Sequence, residues 1–387
     1  MPPLNISSIS TNVDNLFSKF SGVEKRLSAE YSKPTCSPSP PFSKPSIRST
    51  RVVENAVIFS KCGSVIGGKH RLIISAEDSS RAYIMTKVLC KAIYGRVCLA
   101  EMLSWDIETE KWQLSGERCA IKELELSLIE RNSSLLFQKS QEDPMKEIAA
   151  MQHFRDFYFD DDSIENVLVP IEVMSSPTHI LIILPFCSGG ELFDLVDKSQ
   201  GEFGFEETTA KLLMKQILQG VKSLHDAGIC HRDLSLENVM LHENKCKIID
   251  FGMSVRMPTK QNALSRPRSF KRKLSLIEPT GPCGKLFYMS PEIFRNQAYD
   301  GRAVDIWSAG AIMFMLIVGS PAYSKPDISD DCFKWIVSGR MSKLLSDWGM
   351  NVSDEAIHLM EGMMCVDPSR RLTIDQIEKH PWFRDVQ

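Results

Sequence analysis

At 387 residues the chain is long for one compact domain, and it reads as one large two-lobed unit or two ordinary domains with a tail. Its 43% hydrophobic and 25% charged residues suit a globular protein with a sizeable core, and a formal net charge of -3 excludes a global pull toward nucleic acid or anionic membrane. The 11 cysteines include no CxxC pair, which argues against a disulfide framework or zinc site and for reduced thiols in a cytoplasmic or nuclear protein.

Residues 1–50, with the run KPTCSPSPPFSKPSIRST, are rich in Ser, Pro and Thr and lack a sustained apolar period, which predicts a disordered tail. MPPLNISSISTNVDNLFSKF has no basic stretch followed by an apolar one, so no secretory signal is expected. Ser37 and Ser39 each precede a proline and Ser28 follows Lys25 and Arg26, a pattern that suits a phosphorylated arm. Residues 51–82 hold short strand-like runs broken by Gly63, Gly67 and Gly68, an extension that fits no motif. From Tyr83 to Phe186 the runs YIMTKVL, RVCLAEML, ERCAIKEL, VLVPIEVM and HILIILPF read as strands, and WDIETEKWQLSG reads as a long surface hairpin. One helix interrupts them, with Asp143 as N-cap, Pro144 at the first helical position, and Ile148, Met151 and Phe154 at helical spacing. Beyond Gly189 the pattern turns helical, and TTAKLLMKQILQGVKSLHDAG stops at Gly228. SAGAIMFMLIVGSPAY is apolar but too short for a membrane span and contains Pro321, so a buried helix is expected. The prediction is an α+β chain with a small β-rich lobe (83–186) before a larger α-helical lobe (187–383), a junction at which ligand clefts form.

A series of short motifs runs through both lobes. In order they are CAIKEL with Lys122, KEIAAM with Glu147, LPFCSGGELF, HRDLSLEN, DFG at Asp250–Gly252, SPE at Ser290–Glu292, DIWSAG, DPSRRLT with Arg371, and HPWF. One motif alone is weak evidence, but this many in one order is specific. From about residue 83 to 383 the chain resembles a eukaryotic serine/threonine protein kinase, with a calcium/calmodulin-kinase-like or AGC-like catalytic domain. That resemblance implies the bilobal protein-kinase-like fold, ATP and Mg2+ as cofactors, and protein substrates with Ser/Thr acceptors.

The resemblance also implies roles. Lys122 would hold the ATP phosphates and pair with Glu147, Asp233 would take the substrate hydroxyl proton, and Asn238 and Asp250 would bind Mg2+. Leu184 would stand as gatekeeper, with Pro185, Phe186 and Cys187 as the adenine hinge, and Val97, Ala120 and Met240 would enclose the ring. Met151, Ile171, His231 and Phe251 would form a column between the lobes, with Glu292–Arg371 and Asp305 as supports. Glu191 and Glu237 would favour a basic residue upstream of the target hydroxyl.

Three departures stand out. The family's lid reads GxGxxGxV, whereas CKAIYGRV puts Cys90 and Ala92 at the first two glycine positions and keeps only Gly95, which predicts weaker ATP binding. The family's loop usually reads HRDLKPEN, and here Ser235 replaces the lysine. In CGKLFYMSPE, Lys285 replaces the family's threonine, so Lys285 is expected to supply the missing charge. Finally, PTKQNALSRPRSFKRKLSLIEPTGPCG lengthens the activation segment with a basic cluster from Arg266 to Lys273, either a mobile loop, a nuclear import patch or an autoregulatory site. Thr280, Ser275 and Ser269 are its candidate phosphosites, and Arg232 the expected recipient of the phosphate. The presence of Lys122, Glu147, Asp233, Asn238 and Asp250 together favours an active kinase over a pseudokinase that acts as a nucleotide-binding scaffold or allosteric partner. No nucleic-acid partner is expected.

Overall fold

The strand-like runs close into a barrel, and the helical ones pack beneath it. A computed structural model of the chain describes residues 36–37, 39–135, 143–159, 165–198, 204–257 and 276–384. After the short β1 (Cys36–Ser37) come β2 (Arg48–Phe59), β3 (Val65–Ser75), β4 (Arg81–Ala92), β5 (Gly95–Asp106), β6 (Lys111–Glu125), β7 (Glu172–Ser175) and β8 (His179–Pro185). The barrel order is β2-β3-β4-β5-β6-β8-β7, and it closes through parallel pairing of Arg48 and Ser49 with Met174 and Ser175. The predicted surface hairpin is the β5–β6 connection.

Two apolar clusters fill this lobe. Tyr83, Ala100, Ile121 and Ile183 build one, and Ile58, Leu72, Ile74, Leu103 and Trp112 the other. Residues 51–82 are therefore an integral part of the barrel. Their strand-like runs were legible but their place was not, because towards its end β3 carries Leu72, Ile73 and Ile74, all buried, with Ile73 in one cluster and its neighbours in the other. A strand buried on both faces shows no alternation.

Two helices join the lobe: α1 (Leu126–Leu135), which the sequence reading missed, and the expected α2 (Pro144–Phe157). Asp143 caps α2, its Oδ1 accepting from Met145 N at 2.9 Å and Lys146 N at 3.2 Å.

The larger lobe contains β9 (Gly190–Glu191), α3 (Leu192–Lys198), α4 (Glu207–Asp226), β10 (Ile229–Cys230), β11 (Val239–His242), β12 (Lys245–Ile248), β13 (Val255–Arg256), β14 (Leu276–Ile277), α5 (Pro291–Phe294) and α6 (Gly301–Val318). Helices α7 (Asp331–Val337), α8 (Met341–Asp347), α9 (Asp354–Met363) and α10 (Ile374–Ile377) complete it. α6 is the predicted apolar run. It is apolar and long enough to cross a membrane, but 89% of it is buried inside the molecule, which makes it the central core helix. It ends at Gly319, whose φ of 78° supplies the left-handed cap.

The expectation of a disordered tail over residues 1–50 is corrected from Ser39 onward. Ser46 and the Gln152 side chain on α2 exchange two hydrogen bonds, at 2.8 and 2.6 Å, the Phe42 ring lies 5.7 Å from that of His153, and Arg256 donates to Pro41 O at 3.3 Å. Phe42 and Ile47 pack against the main core as apolar anchors that the Ser/Pro-rich composition concealed. The arm thus covers the outer face of α2.

Candidate active site

Cross-strand register aligns the upper wall of the cleft. Leu99, Ala120 and Leu184 form one row across β5, β6 and β8, and Val97, Lys122 and Ile182 form the next. Directly opposed residues share a face. Lys122 Nζ lies 2.7 Å from each Glu147 oxygen, joining β6 to α2. Burial pushes the Glu147 carboxyl up, the Lys122 ammonium opposes that shift, and the Asp250 carboxylate adds to it. The hinge is anchored from below: Phe186 O accepts from His242 Nδ1 at 3.0 Å, and Cys187 O from Gly190 N at 3.4 Å. Met240 on β11 pairs with Glu191 and Lys247 and belongs to the lower wall.

The lid is a hairpin with Ile93 and Tyr94 at its turn, Ala92 opposite Gly95 and Cys90 opposite Val97, and its pairing shifts register between Val88 and Cys90. Cys90 therefore projects on the same face as Lys122. Gly95 is required sterically, because a Cβ there would lie 2.0 Å from Glu123 O.

Below the cleft, the HRD turn is strained and braced. Arg232 has a φ of 66°. The buried Asp305 holds it: Oδ2 accepts from His231 N at 2.9 Å and His225 Nε2 at 2.8 Å, and Oδ1 from Arg232 N at 2.7 Å. These contacts give the buried His225–Cys230–Asp305 cluster a role as the brace of the turn. Asp233 accepts two hydrogen bonds from neutral donors: Asn238 Nδ2 reaches its Oδ2 at 3.0 Å and Lys285 N its Oδ1 at 3.2 Å. The Lys285 ammonium lies 2.7 Å from Ser235 Oγ and 3.7 Å from Asp233 Oδ2.

Asp250, at a φ of 65°, accepts from Gly252 N at 3.1 Å. Asn238 O accepts from Ile249 N at 2.9 Å, which brings Asn238 beside Asp250. An amide oxygen and a carboxylate are the hard oxygen donors that fit a divalent cation such as Mg2+.

The other expected residues divide. Arg371 and Glu292 form a bidentate pair at 2.7 and 3.1 Å. Met151 and Phe251 share the main core, with the His231 and Phe251 rings 5.3 Å apart, whereas Ile171 packs against the barrel cluster. The Arg232 guanidinium donates to Met253 O at 2.7 Å and to Tyr299 Oη at 2.5 Å. Thr280 is exposed, and Ser275 and Ser269 lie outside the described residues. The sequence reading missed Tyr299, and also Tyr288, whose hydroxyl donates to Glu237 at 3.0 Å. An isolated tyrosine gives no spacing signal.

Residues 110–383 match the protein kinase domain family. The chain belongs to that family. Among its relatives, serine/threonine-protein kinase SAPK2 of Oryza sativa subsp. japonica is 33% identical over 215 residues, 55% of this chain and 58% of that protein. Serine/threonine-protein kinase SRK2I of Arabidopsis thaliana is 33% identical over 215 residues, 55% and 54% of the two chains. An abscisic acid-inducible protein kinase of Triticum aestivum is 31% identical over 221 residues, 56% and 61%. The chain thus spans little more than half the length of these relatives. The kinase family match begins beyond the lid, the part of the barrel whose sequence departs from the family pattern.

Proposed function

We propose that the chain is a serine/threonine protein kinase that transfers the γ-phosphoryl group of ATP to Ser or Thr of protein substrates. The observation that carries this reading is the formed Lys122–Glu147 pair at 2.7 Å, with the Asp250 carboxylate close enough to act on Glu147 and Asn238 hydrogen-bonded to Asp233. Lys122 binds the phosphates and Glu147 holds its ammonium in place. Val97, Ala120, Gly95 and Met240 enclose the nucleotide, with Leu184, Phe186 and Cys187 along its hinge edge. Asn238 and Asp250 would hold Mg2+, which would supply charge neutralisation for the phosphates. Asp233 accepts the proton of the attacking hydroxyl, and its hydrogen bonds from Asn238 to Oδ2 and from Lys285 N to Oδ1 orient the carboxylate.

The substrate favours a basic residue upstream of the acceptor. In support, Glu191 is pushed up by burial and by the Asp194 and Glu237 carboxylates, so these acids form a field that a cationic peptide would relieve. Phosphorylation at Thr280 regulates the activation segment, with Ser275 and Ser269 as further sites and a location that is cytoplasmic, or nuclear through the Arg266–Lys273 cluster. The test is incubation with labelled ATP and Mg2+ beside a basic protein, for the unmodified chain and Asp233→Asn. Incorporation that the variant loses is the expected result, and none in either overturns the proposal in favour of a scaffold.

A further inference from the structure

Phosphoryl transfer needs positive charge beside the group in flight, and the catalytic loop of this chain offers a hydroxyl, Ser235, where its family carries lysine. Among the described residues, the cations of the cleft motifs other than Lys285 have partners of their own. Lys122 is bound to Glu147 on the upper wall, and the Arg232 guanidinium is directed to Met253 O and Tyr299 Oη.

Charge reaches the site from the opposite segment. Gly284, at a φ of 86°, crosses the loop so closely that a Cβ would lie 2.9 Å from Arg232 O and 3.2 Å from Asp233 Oδ1. That crossing brings Lys285 into register with the catalytic acid. Its amide donates to Asp233 Oδ1 at 3.2 Å, while its ammonium lies 3.7 Å from Asp233 Oδ2 and donates to Ser235 Oγ at 2.7 Å. Ser235 is fully buried, so its hydroxyl is a fixed acceptor. The Lys285 side chain keeps 38% of its exposure, so the ammonium faces both the carboxylate and open solvent, from which substrate enters.

We infer that Lys285 is the catalytic cation of phosphoryl transfer, and that Ser235 is the residue that positions it. As the substrate hydroxyl oxygen bonds to the γ-phosphorus, the bond from that phosphorus to the bridging oxygen of ADP breaks and the hydroxyl proton passes to Asp233. The Lys285 ammonium neutralises the charge on the transferred oxygens throughout. In most of the family the loop supplies this charge and the activation segment supplies the hydroxyl. Here the two positions have exchanged character, and the contact between them survives. This inference rests on the kinase reading above.

The test is steady-state kinetics on the full chain with Mg2+, ATP and a basic protein substrate. Lys285→Met keeps the backbone amide on Asp233 and the stem volume, and it should lower kcat by about 100- to 1000-fold with little change in KM for ATP. Lys285→Arg should recover part of that loss, which a purely structural role would not produce. Ser235→Lys crowds two ammonium groups and should also be impaired, while Ser235→Lys with Lys285→Thr should exceed each single variant by about tenfold or more. Thermal midpoints of all variants separate misfolding from loss of charge, and the Arg variant keeps the test decisive if Met disturbs the segment. Full kcat in Lys285→Met, or a double variant no better than Lys285→Thr, overturns the assignment alone. Absence of Asp233-dependent turnover in the unmodified chain overturns the kinase reading and this inference together.

Discussion

Replacing Arg371 by methionine should destabilise the larger lobe by about 3–5 kcal/mol, because it leaves a buried carboxylate without its partner. The Arg371 side chain is 0% exposed and that of Glu292 6%. The guanidinium donates to Glu292 at 2.7 and 3.1 Å, to Ala303 O at 2.7 Å and to Cys365 O at 2.9 Å, and lies 5.0 Å from the Trp307 ring centroid. It therefore ties α5 to α6 and to the chain after α9. Methionine keeps most of the stem packing, so the loss is dominated by the stranded charge. At roughly 2–4 °C per kcal/mol for a domain of this size, the melting midpoint should fall by on the order of 10 °C. Circular dichroism melts measure the loss. Glu292→Leu with Arg371→Met removes both charges and should cost less than either single change. A single variant within about 2 °C of the unmodified chain, or a double variant as costly as the sum, would refute the argument.

Four further outcomes are expected. Gly95→Ala forces a Cβ to within 2.0 Å of Glu123 O and should weaken ATP binding by about tenfold or more, whereas Cys90→Gly with Ala92→Gly should tighten it; equal affinities in a nucleotide titration would refute the lid argument. Alkylation of Cys90, on the same face as Lys122, should be slowed by Mg2+ and ATP, while Cys62, whose thiol the Ser60 and Ser64 hydroxyls pull down to about 7, stays reactive as the reference in peptide mapping. Gln152→Ala removes both hydrogen bonds to Ser46, about 1–3 kcal/mol together, and should speed limited proteolysis within residues 39–47. Burial lowers the His153 and His380 pKa values, so the folded state holds these rings neutral; the unfolded chain takes up protons first, and stability present above about pH 6.5 should be lost as the pH falls through that value, as melts at about pH 7.5 and 5.5 will measure.

The residues proposed to carry the chemistry were legible as a set because motif spacing survives without alternation or burial information. Lys122, Glu147, Asp233, Asn238 and Asp250 each fall where their motifs put them, and the Lys285–Ser235 contact followed from one misplaced cation and one misplaced hydroxyl. Long-range partners were not legible. β2 closes the barrel by pairing Arg48 with Met174, and no local pattern encodes a contact across that separation. The arm misled for a related reason: its composition predicts disorder, yet Phe42, Ile47 and the Ser46–Gln152 exchange are enough to fix an extended, proline-rich segment on α2.

The junction of the two segments at Asp233 tolerates one cation. Lysine at both positions 235 and 285 would put two ammonium groups about 4 Å apart, a repulsion of about 4 kcal/mol at an effective dielectric of 20. Hydroxyls at both would leave Asp233 with neutral donors alone, those of Asn238 and the residue-285 amide. The Ser235 and Lys285 side chains lie 2.7 Å apart although 50 residues separate them in sequence, so the charge can sit on either segment provided the other yields a hydroxyl. Gly284 makes that exchange workable, because it brings the second segment close enough for an ammonium on it to reach the same oxygen atoms. A loop that lacks the usual lysine is, on this geometry, compatible with a competent transfer site.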